Sequence, residues 1–101
     1  MKTESAPFSK RAHERVRITW PVRMAGLRGW TRDISDEGVF FELEAETELD
    51  REIDFELDLN TPLGPMCMSC RGKVVRAERV SGRIGIATRL LDSNLETIRI
   101  E

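Results

Sequence analysis

The 101-residue chain contains no tyrosine, one histidine, two cysteines and no long hydrophobic run. The shortage of histidine and cysteine argues against structural zinc, which takes four such ligands. It also leaves few nucleophile and base pairs, so the composition does not favour an enzyme. No apolar stretch approaches the roughly 18 residues of a membrane-spanning helix. Because Met1 leads into polar residues and not into the apolar core of a signal peptide, we expect a cytoplasmic protein without membrane insertion.

The two cysteines, Cys67 and Cys70, form an isolated Cys-x-x-Cys. The surrounding residues are typical of a β-strand, in which positions three apart point to opposite faces. A redox pair of this spacing lies instead at the start of a helix, where both thiols are on one side. We therefore predict free, buried or half-buried cysteines, with no bound metal and no cofactor.

Glycine and proline are not in excess, and with 40% hydrophobic and 34% charged residues the chain has the composition of one globular domain. The formal net charge of -2 hides a strong separation: residues 1–32 carry +6, residues 33–58 carry -11 and residues 59–101 carry +3. This separation favours a compact anionic ligand at the basic N-terminal segment over a long polyanion. We expect neither DNA nor RNA as a partner.

Acidic residues occupy every even position from 42 to 58, while most odd positions are apolar. This period of two predicts strands at about 39–45 and 52–59, each with one solvated acidic face. The alternative, a calcium site, is disfavoured because a strand spreads carboxylates in a row, whereas calcium loops converge them.

The remaining apolar alternation predicts four further strands, at about 16–24, 30–34, 66–80 and 83–90. Pro21 places the first of them at an edge or a bulge. Ser93 and Glu96 fit a Ser-x-x-Glu capping box, which predicts a short C-terminal helix. The expected fold is all-β, a small six-stranded antiparallel barrel followed by that helix.

Arg11 and Arg15 form an Arg-x-x-x-Arg motif just before the first strand, preceded by Lys10. Each guanidinium can hold a phosphate, or the O6 and N7 edge of guanine, through two parallel hydrogen bonds. Arginine pairs at this spacing are also common on solvated surfaces, so this motif alone does not identify a site.

Asp33, Ser35 and Gly38 form a second motif at the end of a strand. Residues 33 and 35 share one face, with Ile34 turned inward, and a carboxylate beside a hydroxyl suits the N1-H and amino donors of guanine. Gly38 permits a positive φ or a close approach of the backbone. The alternative is an Asx or Ser turn that joins two strands, and for Ser35 and Gly38 the two interpretations are compatible.

In this order and on a six-stranded barrel, the two motifs resemble the PilZ domain family, whose hallmark is Arg-x-x-x-Arg followed by Asp/Asn-x-Ser-x-x-Gly. Residues 72–76 and 83–86 also look like the later strands of that family. The chain departs from the family at 88–90, where Thr-Arg-Leu stands in a region in which members often have an aromatic residue.

The resemblance implies a receptor for the bacterial second messenger cyclic di-GMP. The arginines would hold phosphates and guanines, the aspartate and serine would hold a guanine edge, and the glycine would shape the turn. The ligand-binding residues implied in this way are Arg11, Arg15, Asp33, Ser35 and Gly38, with Lys10 as an additional cation.

We expect residues 1–15 to be a flexible basic arm and residues 16–101 to form the barrel domain. Ligand binding would draw the arm onto the barrel and create a surface for a protein partner. One alternative is a PilZ-type interaction module that does not bind the nucleotide, as in pilus or flagellar systems. A second is a small-barrel nucleic-acid binder, which the acidic middle segment disfavours.

Overall fold

The computed structural model describes residues 17–97, which form a closed barrel of antiparallel strands in the order β1-β2-β3-β6-β5-β4. The strands are β1 Pro21–Met24, β2 Leu27–Ile34, β3 Gly38–Leu43, β4 Glu52–Thr61, β5 Gly64–Val80 and β6 Arg83–Thr97. The prediction of an all-β, six-stranded antiparallel barrel is confirmed. In this part of the chain, no helix is long and apolar enough to cross a membrane.

Strand β4 shows how the acidic alternation shapes the barrel. Its odd positions, Ile53, Phe55, Leu57 and Leu59, are buried, and its even, acidic positions face outward. Phe55 packs against Phe41 of β3 with ring centroids 4.8 Å apart. The period-two pattern therefore places one apolar face in the core and one acidic face in solvent, as the sequence predicts.

The hairpins at the ends of the barrel use left-handed turn residues. Ala25 and Gly26 join β1 to β2 with φ of 53° and 80°, and Ser81 and Gly82 join β5 to β6 with φ of 54° and 79°. Two successive residues with positive φ match the right-handed twist of the strands they connect. Gly29, which the sequence suggests as part of a turn, lies instead inside β2.

The predicted C-terminal helix is not shown. Ser93 and Glu96 belong to β6, where they pair with Cys70 and Cys67 of β5. Because β5 is 17 residues long, it supplies backbone partners to this segment along its whole length. The ladder of interstrand hydrogen bonds outweighs the weak local capping signal.

The β5–β6 hairpin extends past its neighbours on both sides. Strand β3 pairs with β6 only at residues 84–89, and β4 pairs with β5 only at residues 64–73. The projecting part of β5 is covered by the loop before β4: Val74 N–H donates to the carbonyl of Arg51 (2.8 Å), and Arg79 donates to the carbonyl of Thr47 (3.3 Å).

The N-terminal arm, with Lys10, Arg11 and Arg15, lies outside the described residues. The boundary between arm and barrel at residues 15 and 16 therefore remains a prediction.

Candidate functional site

The second sequence motif forms the β2–β3 hairpin. Asp33 lies near the end of β2, Ser35 lies in the turn and Gly38 begins β3. Ser35 N–H donates to the carbonyl of Gly38 (2.9 Å), and Ser35 Oγ accepts the N–H of Glu37 (3.2 Å). The serine therefore builds a turn, as one of the two sequence interpretations expects.

A β-bulge at Arg32 determines which side chains of this hairpin face outward. Thr31 is fully buried, yet Asp33, two residues later, pairs with the half-exposed Phe40 on the outer face. The extra residue shifts the alternation by one position. Asp33 consequently faces outward, and Ile34 packs against the core as predicted.

Gly38 is required by close packing of the backbone. A Cβ at this position would lie 2.0 Å from the carbonyl oxygen of Thr88 in β6. The glycines with positive φ are others, namely Gly26, Gly64 and Gly82. Of the two roles considered from sequence, the structure therefore supports close backbone approach, which brings β6 and its Arg89 directly beside the turn.

Three exposed cations, Lys73, Arg76 and Arg89, adjoin the hairpin on the outer face of β5 and β6, and we call them the cationic surface. Gly38 pairs with Arg89, which in turn pairs with Lys73. Within residues 17–97, none of the three is engaged in an ion pair with another side chain. An anionic ligand at the hairpin would therefore meet three cations that make no ion pair within residues 17–97.

Arg76 reaches this face through a second bulge. Val74 pairs with Thr88 and Arg76 pairs with Ala87, so that Val75 is the extra residue. The guanidinium carbon of Arg76 lies 5.8 Å from the centroid of the Phe40 ring, within the range of a cation–π contact. Ala87 of β6 lies in register between Phe40 of β3 and Arg76 of β5, and Asp33 of β2 pairs with Phe40 on its other side.

The structure brings together Asp33, Ser35 and Gly38, all predicted from sequence. It also adds Phe40 and the cationic surface, which the sequence analysis did not identify. A regular alternation from Phe41 would have placed Phe40 on the outer face. Arg76 had no such signal, because the bulge before it reverses the alternation.

The cysteines are free and lie on different sides of the sheet. Cys70 is buried in the core, and Cys67 is half-buried near Arg23, with 3.6 Å between Sγ and the guanidinium. Burial, with a contribution from Cys67, raises the pKa of the Cys70 thiol to about 11, and burial also raises the pKa of Cys67. Among residues 17–97, no three His, Cys, Asp or Glu side chains are grouped to hold a metal ion.

We expect iodoacetamide at pH 8 to alkylate Cys67 well before Cys70. The thiolate is the reactive form, and the core position of Cys70 limits both its ionisation and its access. Mass spectrometry of digests over time measures the two rates, and unfolding in urea should equalise them. Equal rates in the folded protein, or a disulfide between the two after mild oxidation, would contradict the placement on opposite faces.

The PilZ domain family model matches residues 9–100, a range that includes both sequence motifs and all six strands. No match to the chain was found among the curated proteins or among the solved structures. The family match covers nearly the whole chain, and the barrel agrees with the fold that the motifs implied. The chain therefore belongs to the PilZ domain family.

Proposed function

We propose that this protein is a receptor for cyclic di-GMP that performs no catalysis and signals by ordering its N-terminal arm against the barrel. PilZ domains are in general binding modules of the cyclic di-GMP type. For this chain, the proposal is carried by one observation: residues 18–20, which precede β1, are hydrogen-bonded to Thr31 beside the hairpin motif.

The segment between the predicted arm and β1 is held at Thr31, two residues before Asp33. Thr31 N–H donates to the carbonyl of Trp20 (2.9 Å), and Trp20 N–H donates to Thr31 Oγ (2.8 Å), which also donates to the carbonyl of Ile18. Arg15 lies three residues before Ile18, a reach of at most about 11 Å in extended chain. This anchoring supports the view that both arm arginines can reach a ligand held at the hairpin.

The hairpin and its surroundings suit the chemistry of the ligand. Cyclic di-GMP carries two phosphates and two guanines. The carboxylate of Asp33 can accept hydrogen bonds from the N1–H and amino group of a guanine. Ser35 Oγ already accepts the Glu37 N–H, so its hydroxyl proton remains for an acceptor on the ligand. The cationic surface supplies positive charge for phosphates.

Isothermal titration of the full chain with cyclic di-GMP tests the proposal directly. We expect saturable binding at tens of micromolar protein, with backbone NMR shifts at residues 33–38 and in the arm. Absence of heat and of shifts would reject the receptor function. Shifts confined to the hairpin would reject the ordering of the arm while leaving binding intact.

Asp33→Ala is expected to weaken binding on the order of 10-fold or more, because a charge-assisted hydrogen bond contributes about 1.5–3 kcal/mol. The affinity of Asp33→Asn should fall between those of wild type and Asp33→Ala, since the amide oxygen still accepts one hydrogen bond but the charge and the second acceptor are lost. Titration of both variants beside Asp50→Ala, an exposed acid in the loop before β4, measures the effect. Equal affinity of Asp33→Ala and wild type would show that the guanine edge lies elsewhere.

The alternative function is a protein-interaction module that acts without the nucleotide. Pull-down of one partner in the presence and absence of cyclic di-GMP distinguishes the two functions. A partner whose capture depends on the nucleotide supports the receptor.

A further inference from the structure

The C-terminal part of β6 is a strand edge that remains uncovered within the described residues. Leu90 and residues 92–97 pair with β5 on one side, with Leu91 as the extra residue of a bulge. On the other side, the last hydrogen bond runs from Leu90 N–H to the carbonyl of Glu37 (2.7 Å). Beyond it, backbone donors and acceptors of residues 91–96 that face away from β5 have no strand partner among residues 17–97. We call residues 91–96 the open edge.

Proteins normally protect such edges, because unpaired backbone groups recruit further strands. This barrel covers the projecting part of β5 with the loop before β4, as described above. Among residues 17–97, no loop covers the open edge in this way. Its sequence contains no proline and no lysine, and its only other protective features are the bulge at Leu91 and the acidic residues Asp92 and Glu96. In the part of the chain that the structure describes, the projecting part of β5 is therefore covered by a loop, whereas the projecting part of β6 is not.

The side chains of the open edge have two distinct faces. Leu95 is 49% exposed and pairs with the half-buried Met68 on the inward side of β5. Leu91, which is 48% exposed, is the extra residue of a bulge, because Leu90 pairs with Gly72 and Asp92 pairs with Arg71. Asp92 and Glu96 are exposed and point outward. An added strand would therefore meet an apolar surface on one side and carboxylates on the other.

The carboxylate of Asp92 is not neutralised by its neighbour. Arg71 stands opposite Asp92 in the register, yet its guanidinium binds Asp54 of β4 at 3.1 Å. Arg23, which lies beyond β5 and β4 on the outer face, is engaged by Glu56 and Asp58, each at 2.8 Å. The outer side of the open edge thus keeps an excess of negative charge.

The side of β6 that faces away from β5 is where a strand could be added. Within the described residues 17–97, no strand pairs with residues 91–96 on that side. An extended peptide could therefore form backbone hydrogen bonds with the open edge. A groove of about 580 Å³ lies on the other side of residues 92–94, where residues 54–56 of β4, residues 69–71 of β5 and the β1–β2 turn line it.

We propose that the open edge binds a protein partner through an extended segment in which basic and apolar residues alternate, added to the sheet next to β6. The basic side chains would face Asp92 and Glu96, and the apolar ones would cover Leu95. A second copy of this chain fits less well, because antiparallel self-pairing centred on Asn94 places Asp92 opposite Glu96, and like charges in that position repel.

A labelled ten-residue peptide of alternating lysine and valine is the probe, with the full chain as receptor. Fluorescence anisotropy should show binding that falls at least 10-fold in the double variant Asp92→Lys/Glu96→Lys. The matched control is Glu44→Lys/Glu48→Lys, which makes the same change of charge in the exposed loop before β4. A peptide with the same composition in two blocks should bind more weakly than the alternating one.

Hydrogen exchange separates strand addition from general attraction of charges. The amides of residues 91–96 should gain protection when the alternating peptide binds. Equal loss of binding in both double variants, or no gain of protection at residues 91–96, would overturn the proposal. Self-association of the wild-type chain in sedimentation, removed by Asp92→Lys/Glu96→Lys, would also overturn it by identifying a second copy as the occupant.

Discussion

Arg15→Ala is expected to reduce the affinity for cyclic di-GMP by about 100-fold or more, and Arg11→Ala should have a similar effect. Each guanidinium can form two parallel charge-assisted hydrogen bonds with a phosphate or a guanine edge. Each such bond contributes about 1.5–3 kcal/mol, so loss of one arginine removes two of them. Titration calorimetry of each variant against wild type measures the change.

A lysine at the same position provides a graded comparison. Arg15→Lys keeps the positive charge but loses the planar fork, and its affinity should fall between those of wild type and Arg15→Ala. Arg83→Ala serves as the matched control, because Arg83 lies six residues along β6 from Arg89, about 20 Å away at the usual rise per residue. If Arg83→Ala and Arg15→Ala weakened binding equally, the arm would contribute only general charge.

Gly29→Ala is expected to destabilise the barrel more than any exposed substitution, on the order of 3 kcal/mol or more. Gly29 pairs with Leu43, and a Cβ at position 29 would lie 1.7 Å from the carbonyl oxygen of Glu42. The carbonyl belongs to the backbone, and the position of a Cβ is fixed by the backbone that carries it, so no side-chain rotation relieves the clash. Strands β2 and β3 would have to separate, with loss of their shared hydrogen bonds.

Urea denaturation followed by circular dichroism tests this prediction. The control is Gly26→Ala, because Gly26 has a φ of 80° and nothing within 4 Å of the added Cβ. Its cost is the left-handed conformation alone, about 1–2 kcal/mol. If the two variants unfolded at the same denaturant concentration, the result would contradict the close backbone contact between β2 and β3 at Gly29.

The extent to which the sequence predicts this protein depends on the range of each interaction. The acidic alternation along β4 arises from local geometry, so its buried and exposed faces follow directly from the sequence. The turn at Ser81 and Gly82 is equally local. The capping box at Ser93 gave a wrong expectation, because the pairing of β6 with the long β5 is an interaction between distant segments.

The candidate site shows the same division. The hairpin motif was recognisable from residue types and spacing, and the inward direction of Ile34 was predicted. The close approach behind Gly38 requires knowledge of the neighbouring strand, which no local pattern supplies. The cationic surface was missed because its residues come from β5 and β6 and meet the hairpin only through register.

Two of the bulges, those at Arg32 and Val75, make this surface depend on the exact number of residues in β2 and β5. The bulge at Arg32 lies in β2, beside β3, and the bulge at Val75 lies in β5, beside β6. Each bulge reverses the direction of the side chains that follow it in its own strand. Removal of one residue at either point would turn a charged side chain, Asp33 or Arg76, toward the core. The chain would still contain all four residues that pair across these strands, namely Asp33, Phe40, Ala87 and Arg76. The composition of the surface thus depends on single-residue insertions as much as on residue identity, and two related chains with the same residue types can present opposite surfaces here if they differ by one residue in length.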